Sequence, residues 1–279
     1  MSENLKWEGL VTAKSSIVHG AESLGTVTYL RRERFLLPDG SFEEVPVISG
    51  NAWRGLLRDY AADLWWNTAG KPPLSLAVMH ALWSGGALAK ASGATLSGSR
   101  LVDVKNVCPV VGVFGTAGGG RIVGGSLQVG KMLPVCKELS HLIPKKFLPA
   151  VLPSMWDLTQ IEYASRIPNV SKQAGVNDAG DEESDSSLAR YGVETFVAGT
   201  QFYSWCSLSW ASPLEQAFFN DVLAGYQVDG KVGGAQRMGH GQIALDLSLA
   251  SGSVDMVDWA SQIKDVPLDE MIEKLAWLD

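Results

Sequence analysis

An α+β fold with a ferredoxin-like core and long insertions is the expectation for this 279-residue protein. Three observations carry it. Short alternating apolar runs are joined by tight turns, the connection that antiparallel strands use. Amphipathic helical stretches interrupt them at irregular intervals. No internal repeat of fixed period is present, and the order lacks the regular strand-helix rhythm of a doubly wound parallel sheet.

Residues 5–18 (LKWEGLVTAKSSIV) alternate as a strand does. Residues 26–48 read as a hairpin: TVTYLRRERFLL, the turn Pro38-Asp39-Gly40-Ser41, then FEEVPVI. Gly40 tolerates positive φ and Pro38 restricts the backbone before it, so the turn has a physical cause. Gly50-Asn51 then reads as an N-terminal cap for a helix running through Trp66. Its apolar positions Trp53, Leu56, Leu57, Tyr60, Ala61 and Leu64 recur at three and four and give one buried face. Asn67 and Gly70, with Pro72-Pro73 beyond, end it.

Residues 74–90 carry a second short helical pattern, followed by the soft stretch SGGALAKASGATLSGS. Strand-like runs at 107–114 and 121–129 flank the glycine-rich turn GTAGGG. After a Pro-punctuated apolar stretch (132–155), Thr159–Ile167 is extended and leads into SKQAGVNDAGDEESDSS, too polar to pack a core. Tyr191–Leu208 alternates like a strand. Ser212–Gly225 is a helix with Ser212 as cap and Pro213 in its first turn. A glycine-rich loop (Gly230–Gly241) and a last strand (Gln242–Leu249) follow. Residues 254–279 resemble an amphipathic acidic helix or helix pair.

Composition sets limits on function. Hydrophobic residues at 46% and charged residues at 19% describe an ordinary globular protein. No run of about 18 apolar residues predicts a membrane span, and the N-terminus lacks the apolar core of a signal peptide, so a cytoplasmic protein is expected. Cys108, Cys136 and Cys206 are far apart and form no C-x-x-C pair, which favours reduced, buried thiols. His19, His80, His141 and His240 show no metal-ligand spacing, so no metal and no cofactor are expected.

The net charge of −7 opposes nucleic-acid binding at first sight. Its distribution changes the conclusion. Asp178, Asp181, Glu182, Glu183 and Asp185 lie together with no base among them. From Asp255 to Asp279 seven acids face only Lys264 and Lys274. Each segment holds a net five negative charges, so the remainder is weakly basic and a basic groove is compatible with it.

Four constellations bear chemistry. At Gly50-Asn51-Ala52-Trp53-Arg54-Gly55-Leu56-Leu57-Arg58 a helix N-terminus offers unpaired N–H groups to a phosphate. Gly50 allows close approach there, Asn51 can cap or donate, and Arg54 and Arg58 sit one turn apart. The spacing alone fits a solvated surface helix equally well. At Val232–Gln242 (VGGAQRMGHGQ), Gly233, Gly234 and Gly239 surround Arg237 and His240 in a loop of backbone donors. No G-K-[ST] ends it, so nucleotide hydrolysis is not indicated, and a purely structural loop stays open. Arg121 stands among glycines in VFGTAGGGRIVGG. Arg31 and Arg32 belong to YLRRERF, where arginines between aromatics suit single-stranded nucleic acid by stacking and phosphate contact. A charged, solvated hairpin is the plainer alternative.

The order of these pieces resembles the RAMP superfamily, the modified RNA-recognition-motif proteins of CRISPR systems. Within it the sequence is similar to the backbone subunit of class 1 effector complexes, nearest to the type IV form and next to type III. The likeness rests on Ile48–Arg58, on the mid-sequence F-G segment, and on Gly233–Gly241. It implies a single palm over residues 1–253, with fingers near 67–110, a thumb near 159–203, and the acidic tail 254–279. Carried over by position, it implies that Asn51, Arg54 and Arg58 touch the guide backbone and that Gly233, Gly234, Arg237 and Gly239 form the glycine loop beside it; with these, Gly50, Arg31, Arg32, Arg121, Arg166 and His240 complete the expected RNA-binding residues. It further implies as partners a CRISPR guide RNA, more copies of the same protein in a head-to-tail filament, other effector subunits, and target nucleic acid paired to the guide.

Type III backbone proteins cleave target RNA with an Asp in the loop after the first strand. Here that loop, HGAESLGTV, contains His19 and Glu22 but no Asp. A non-catalytic binder is therefore the expectation. A metal-independent endoribonuclease using His19 or His240 as base is the alternative.

Overall fold

The structure is a computed structural model that describes residues 4–86, 97–118, 121–166, 189–255 and 257–279. The strands are β1 (Leu5–Ala13), β2 (Gly20–Leu24), β3 (Val27–Leu30), β4 (Arg32–Leu36), β5 (Phe42–Pro46), β6 (Thr116–Gly118) and β7 (Arg121–Val123). They continue with β8 (Leu127–Val129), β9 (Leu133–Pro134), β10 (Thr159–Arg166), β11 (Ala189–Phe196), β12 (Gln201–Leu208) and β13 (Ile243–Ser251). The α-helices are α1 (Gly50–Thr68), α2 (Leu76–Met79), α3 (Gly98–Val107), α4 (Pro109–Phe114), α5 (Pro213–Asp229), α6 (Trp259–Lys264) and α7 (Leu268–Leu275).

The main sheet runs β13-β1-β12-β8, with β9 also on β12, and all its pairs are antiparallel. Helix α1 lies between β1 and β8 in sequence, and α5 between β12 and β13. That is the split βαβ order of a ferredoxin-like core, as the sequence predicts. Alternation along β1 divides the molecule. Leu5, Trp7, Val11 and Ala13 face one way and join Trp53, Leu57, Ala61 and Trp65 of α1 and Phe218, Phe219 and Val222 of α5 in one core. Burying each such large side chain contributes about 1.5–3 kcal/mol. Leu10, with Tyr203 and Trp205, belongs to a second core on the other side. There Val135, Cys136, Leu139, Ile143, Met155 and Leu158 cover the sheet.

A second sheet has the order β10-β11-β3-β2, and its β11–β3 pairing is parallel. The expected hairpin over 26–48 is therefore cut in two. Residues of β3 pair with β2 and β11, and only β4 and β5 form the hairpin, from Arg32↔Pro46 to Leu36↔Phe42. Its turn is as expected, with Gly40 at φ +87° and Asp39 accepting from the Ser41 N–H at 2.9 Å.

The run at 107–114 is helical, not extended. Six consecutive buried residues have no period to read, and Pro109 starts α4 at a position where its missing N–H costs nothing. Residues 121–129 are two short strands, and 191–208 are two strands joined by a turn at Gly199 (φ +91°). Helix α5 carries the Ser212–Glu215 capping box. The tail is a helix pair packed on the first core through Trp259, Ile263, Met271, Leu275 and Leu278. Trp259 meets Phe218 edge-on at 4.9 Å and donates to Asp221 at 2.8 Å. The acidic run at 178–185 lies outside the described residues.

Candidate nucleic-acid interface

The segment after β1 holds the sequence-distant motifs together. Gly234 pairs with Val18, donating its N–H to the Val18 carbonyl at 2.7 Å, and the Gly241 N–H reaches Ser16 at 2.8 Å. Ile17 exchanges two backbone hydrogen bonds with Phe196 (3.0 and 2.9 Å). The ring of His19 accepts the Ser49 N–H at 3.2 Å, and its carbonyl accepts from the Arg31 N–H at 2.8 Å. Residues 16–19 thus touch the glycine loop, the second sheet, the arginine-rich segment and the start of α1.

The glycine loop fits this contact by necessity. Gly233 has φ +80°, and a Cβ there would lie 2.2 Å from the Val18 carbonyl oxygen. Gly239 also has positive φ, and the turn Gln236–Met238 between them leaves Arg237 and Met238 exposed. His240 is half-buried, 3.9 Å from Glu162.

At the start of α1 the cap is Ser49, whose hydroxyl accepts from the Ala52 N–H at 3.3 Å, so the expected Gly50-Asn51 cap moves back by one or two residues. Gly50 is the first helical residue, and a Cβ there would meet the Val129 carbonyl at 2.7 Å. Its role is to let α1 approach β8. The Trp53 indole N–H, donating to Gly130 at 2.9 Å, secures the same approach. Asn51 is exposed.

Arg54 and Arg58 share one acceptor. Their Nη2 groups donate to the Phe114 carbonyl at 2.7 and 2.6 Å, and Arg58 also reaches the Ala81 carbonyl at 3.4 Å. Phe114 ends α4, so its carbonyl is one of those a helix leaves unpaired, at the negative end of the helix dipole. Arg58 is only 7% exposed. Burial, reinforced by Arg54, lowers its pKa to about 10, still a cation at neutral pH. Arg54 is half-buried, its pKa lowered by burial.

Arg32 is bound by both carboxylate oxygens of Glu194, at 2.7 and 2.5 Å, and that carboxylate also accepts the Leu30 N–H at 2.9 Å. This hydrogen bonding raises the Arg32 pKa. Arg31 is exposed, and so is Arg121 on β7. Arg166 ends β10 opposite Ala189 in the register, and its side chain lies outside the described residues. Burial, then the charge of Arg31, lowers the His19 pKa below its ordinary value.

Several residues of this region carry no sequence signal. Glu194 and Glu162 sit in alternating strands, and Lys14 is an exposed cation whose backbone N–H joins Gln242 at 2.7 Å. Ser49 is legible as a capping residue before an apolar helical period, but Gly50-Asn51 competes with it. The Phe114 carbonyl could be found only by knowing that 109–114 is helical. Among the described residues no three His, Cys, Asp or Glu side chains gather as a metal site, and no helix is long and apolar enough to cross a membrane. All three cysteines are buried and unpaired.

The fold and the geometry of this region define an α+β protein with a ferredoxin-like core, in which a glycine loop and a capped helix N-terminus both join the segment that follows β1. Among solved structures the protein is similar to a subunit of a type IV-B CRISPR complex, with 29% identity and a TM-score of 0.62. The likeness covers 94% of this sequence and 100% of that one. No family model and no curated protein matches it.

Proposed function

We propose that this protein is a component of a CRISPR complex. Within that assembly it acts as a non-catalytic backbone subunit of the RAMP type, binding guide RNA and polymerising along it. The observation that carries the reading is the likeness to a subunit of a type IV-B CRISPR complex over 94% of the sequence. The geometry supports it further. The exposed Asn51, Arg31, Arg237 and Lys14 belong to segments that the hydrogen bonds of residues 14–19 tie together, and exposed cations beside backbone donors are what a phosphate backbone needs. Arg54, half-buried on the same helix as Asn51, adds a further cation. Residues 67–110 serve as fingers and 159–203 as thumb in this reading, and target nucleic acid is bound by pairing with the guide.

The absence of catalysis in this reading is supported by the histidines. The Nε2 lone pair of His19 is committed to a backbone N–H, and a general base needs that lone pair free. At His240 the neighbouring carboxylate, Glu162, is 3.9 Å away, too far to hydrogen-bond the ring and orient it as a base. Co-expression with a CRISPR RNA tests the proposal. The purified protein is expected to run as a large assembly carrying a protected RNA. Recovery of a nucleic-acid-free monomer would overturn it.

A further inference from the structure

The cover on the second side of the main sheet, residues 135–158, has an outer surface that is both apolar and basic. Leu142, Val151 and Trp156 are 46%, 83% and 64% exposed. Lys137 and Lys145 are exposed in the same cover, and neither has a carboxylate partner among the described residues; of the cover's two acids, Glu138 accepts from the Ser154 hydroxyl and the Met155 N–H, and the exposed Asp157 accepts from the Ser154 N–H. The Lys137 N–H donates to the Pro153 carbonyl at 2.9 Å, which brings that lysine beside the stretch leading to Trp156. Exposed tryptophan and aliphatic side chains on one cover, together with exposed lysines, have the composition of an interface centre.

The opposite end of the molecule has the complementary sign. Helices α6 and α7 form the outer layer over the helical side of the sheet, and Asp265, Asp269 and Glu273 are exposed on them beside Leu268, itself 49% exposed. Lys274 engages Glu270 in the same helix, and none of those three acids has an ion-pair partner among the described residues. The cover and the helix pair belong to different cores on opposite faces of one sheet. They cannot meet within one molecule, but stacking a second copy front to back brings one onto the other.

We propose that the cover 135–158 of one copy docks on the α6–α7 helix pair of a second copy. Lys137 and Lys145 then oppose Asp265, Asp269 and Glu273 around an apolar centre formed by Trp156, Val151 and Leu268. Such a contact is heterologous: each copy uses one surface and leaves the other free, so it propagates as a filament instead of closing as a dimer. The inference rests on reading the protein as one copy within a multi-subunit complex, and it names the surfaces by which copies join.

A charge-swap experiment on the full-length protein, co-expressed with a CRISPR RNA, tests it by assembly size and by recovered RNA. Lys137→Glu/Lys145→Glu places acid against acid, and Asp269→Lys/Glu273→Lys places base against base. Each variant alone is expected to lose self-association by at least about tenfold, because juxtaposed like charges repel. An equal mixture of the two is expected to assemble again, since every contact between unlike variants is attractive; this restoration also shows that both variants are folded. Assembly by either variant alone at the wild-type level, or a mixture that stays dissociated, overturns the contact. Wild-type assemblies without RNA that obey the swap refute guide binding and leave the contact standing. RNA-loaded assemblies indifferent to the swap do the reverse. A wild type that neither assembles nor carries RNA refutes both.

Discussion

The imidazole of His19 accepts the backbone N–H of Ser49 at 3.2 Å, so the residue that caps α1 is fastened to the segment that also hydrogen-bonds to the glycine loop. The bond requires an unprotonated Nε2. Burial and the neighbouring Arg31 both hold the ring in that state by lowering its pKa.

A pH dependence follows. The unfolded ring takes up a proton near its ordinary pKa of 6.5, and the folded ring only at lower pH. Stability from His19 is therefore full above 6.5, declines as pH falls below it, and stops declining once the folded ring is itself protonated. Thermal unfolding of wild type and His19→Ala across this range should show the variant less stable by about 1–2 kcal/mol at neutral pH. The gap should narrow in acid; a constant gap would remove the titration from the account.

Arg58 is expected to act on stability before it acts on RNA. Its guanidinium is buried against the Phe114 and Ala81 carbonyls, so Arg58→Met should cost about 2–3 kcal/mol by losing charged hydrogen bonds. Denaturant titration reads this directly. A variant as stable as wild type would mean that Arg54 alone satisfies the end of α4.

Arg31 and Arg237 should behave in the opposite way. Both are exposed, and at a pH well above the ordinary imidazole value of 6.5, where the charge of Arg31 no longer bears on His19, Arg31→Glu or Arg237→Glu should leave the unfolding midpoint unchanged. Each should weaken guide-RNA binding and reduce the slope of log affinity against log salt by about 1. Fluorescence anisotropy at several salt concentrations is the measurement. Affinity and slope unchanged in both variants would place the RNA elsewhere.

Glu8 fastens the cover to the sheet. It is 7% exposed and bound by Lys146 at 2.8 Å, Lys6 at 2.7 Å and the Tyr203 hydroxyl at 3.0 Å. The Lys146 interaction, then Lys6, lowers its pKa from 4.5 to about 2. Its contribution is present above 4.5 and lost as pH falls from there towards about 2. Because both lysines are partly solvated, about 1–2 kcal/mol is expected. Glu8→Gln should remove that amount at neutral pH and flatten the acid limb of the stability curve. An unaltered acid limb would assign it to other carboxylates.

Much of the frame is legible because its signals are local. The alternation of Leu5, Trp7 and Val11 marks a strand. The Ser212–Glu215 box marks the start of α5, and Asp39-Gly40 marks the turn of the β4–β5 hairpin. Legibility ends where burial erases the period. Residues 109–114 are apolar on every side, and Tyr191–Leu208 keeps alternating through a turn. Arg54 and Arg58 show a further limit: helical spacing places them on one side of α1, yet it does not say whether that side meets solvent or the end of another helix.

The sequence by itself determined the ferredoxin-like order of elements, the turn at Asp39-Gly40, and the segregation of negative charge into one loop and the tail. These are properties of short stretches and of composition. Tertiary structure alone decided which cations remain exposed. Arg32 is taken by Glu194, 162 residues away, and Arg58 by Phe114, 56 residues away. It also decided that the glycine loop and the α1 cap meet on either side of Val18 and His19. The physical reason is that a charged side group or a backbone carbonyl pairs with whatever folding brings near it, and contacts so distant in sequence leave no periodic trace within it.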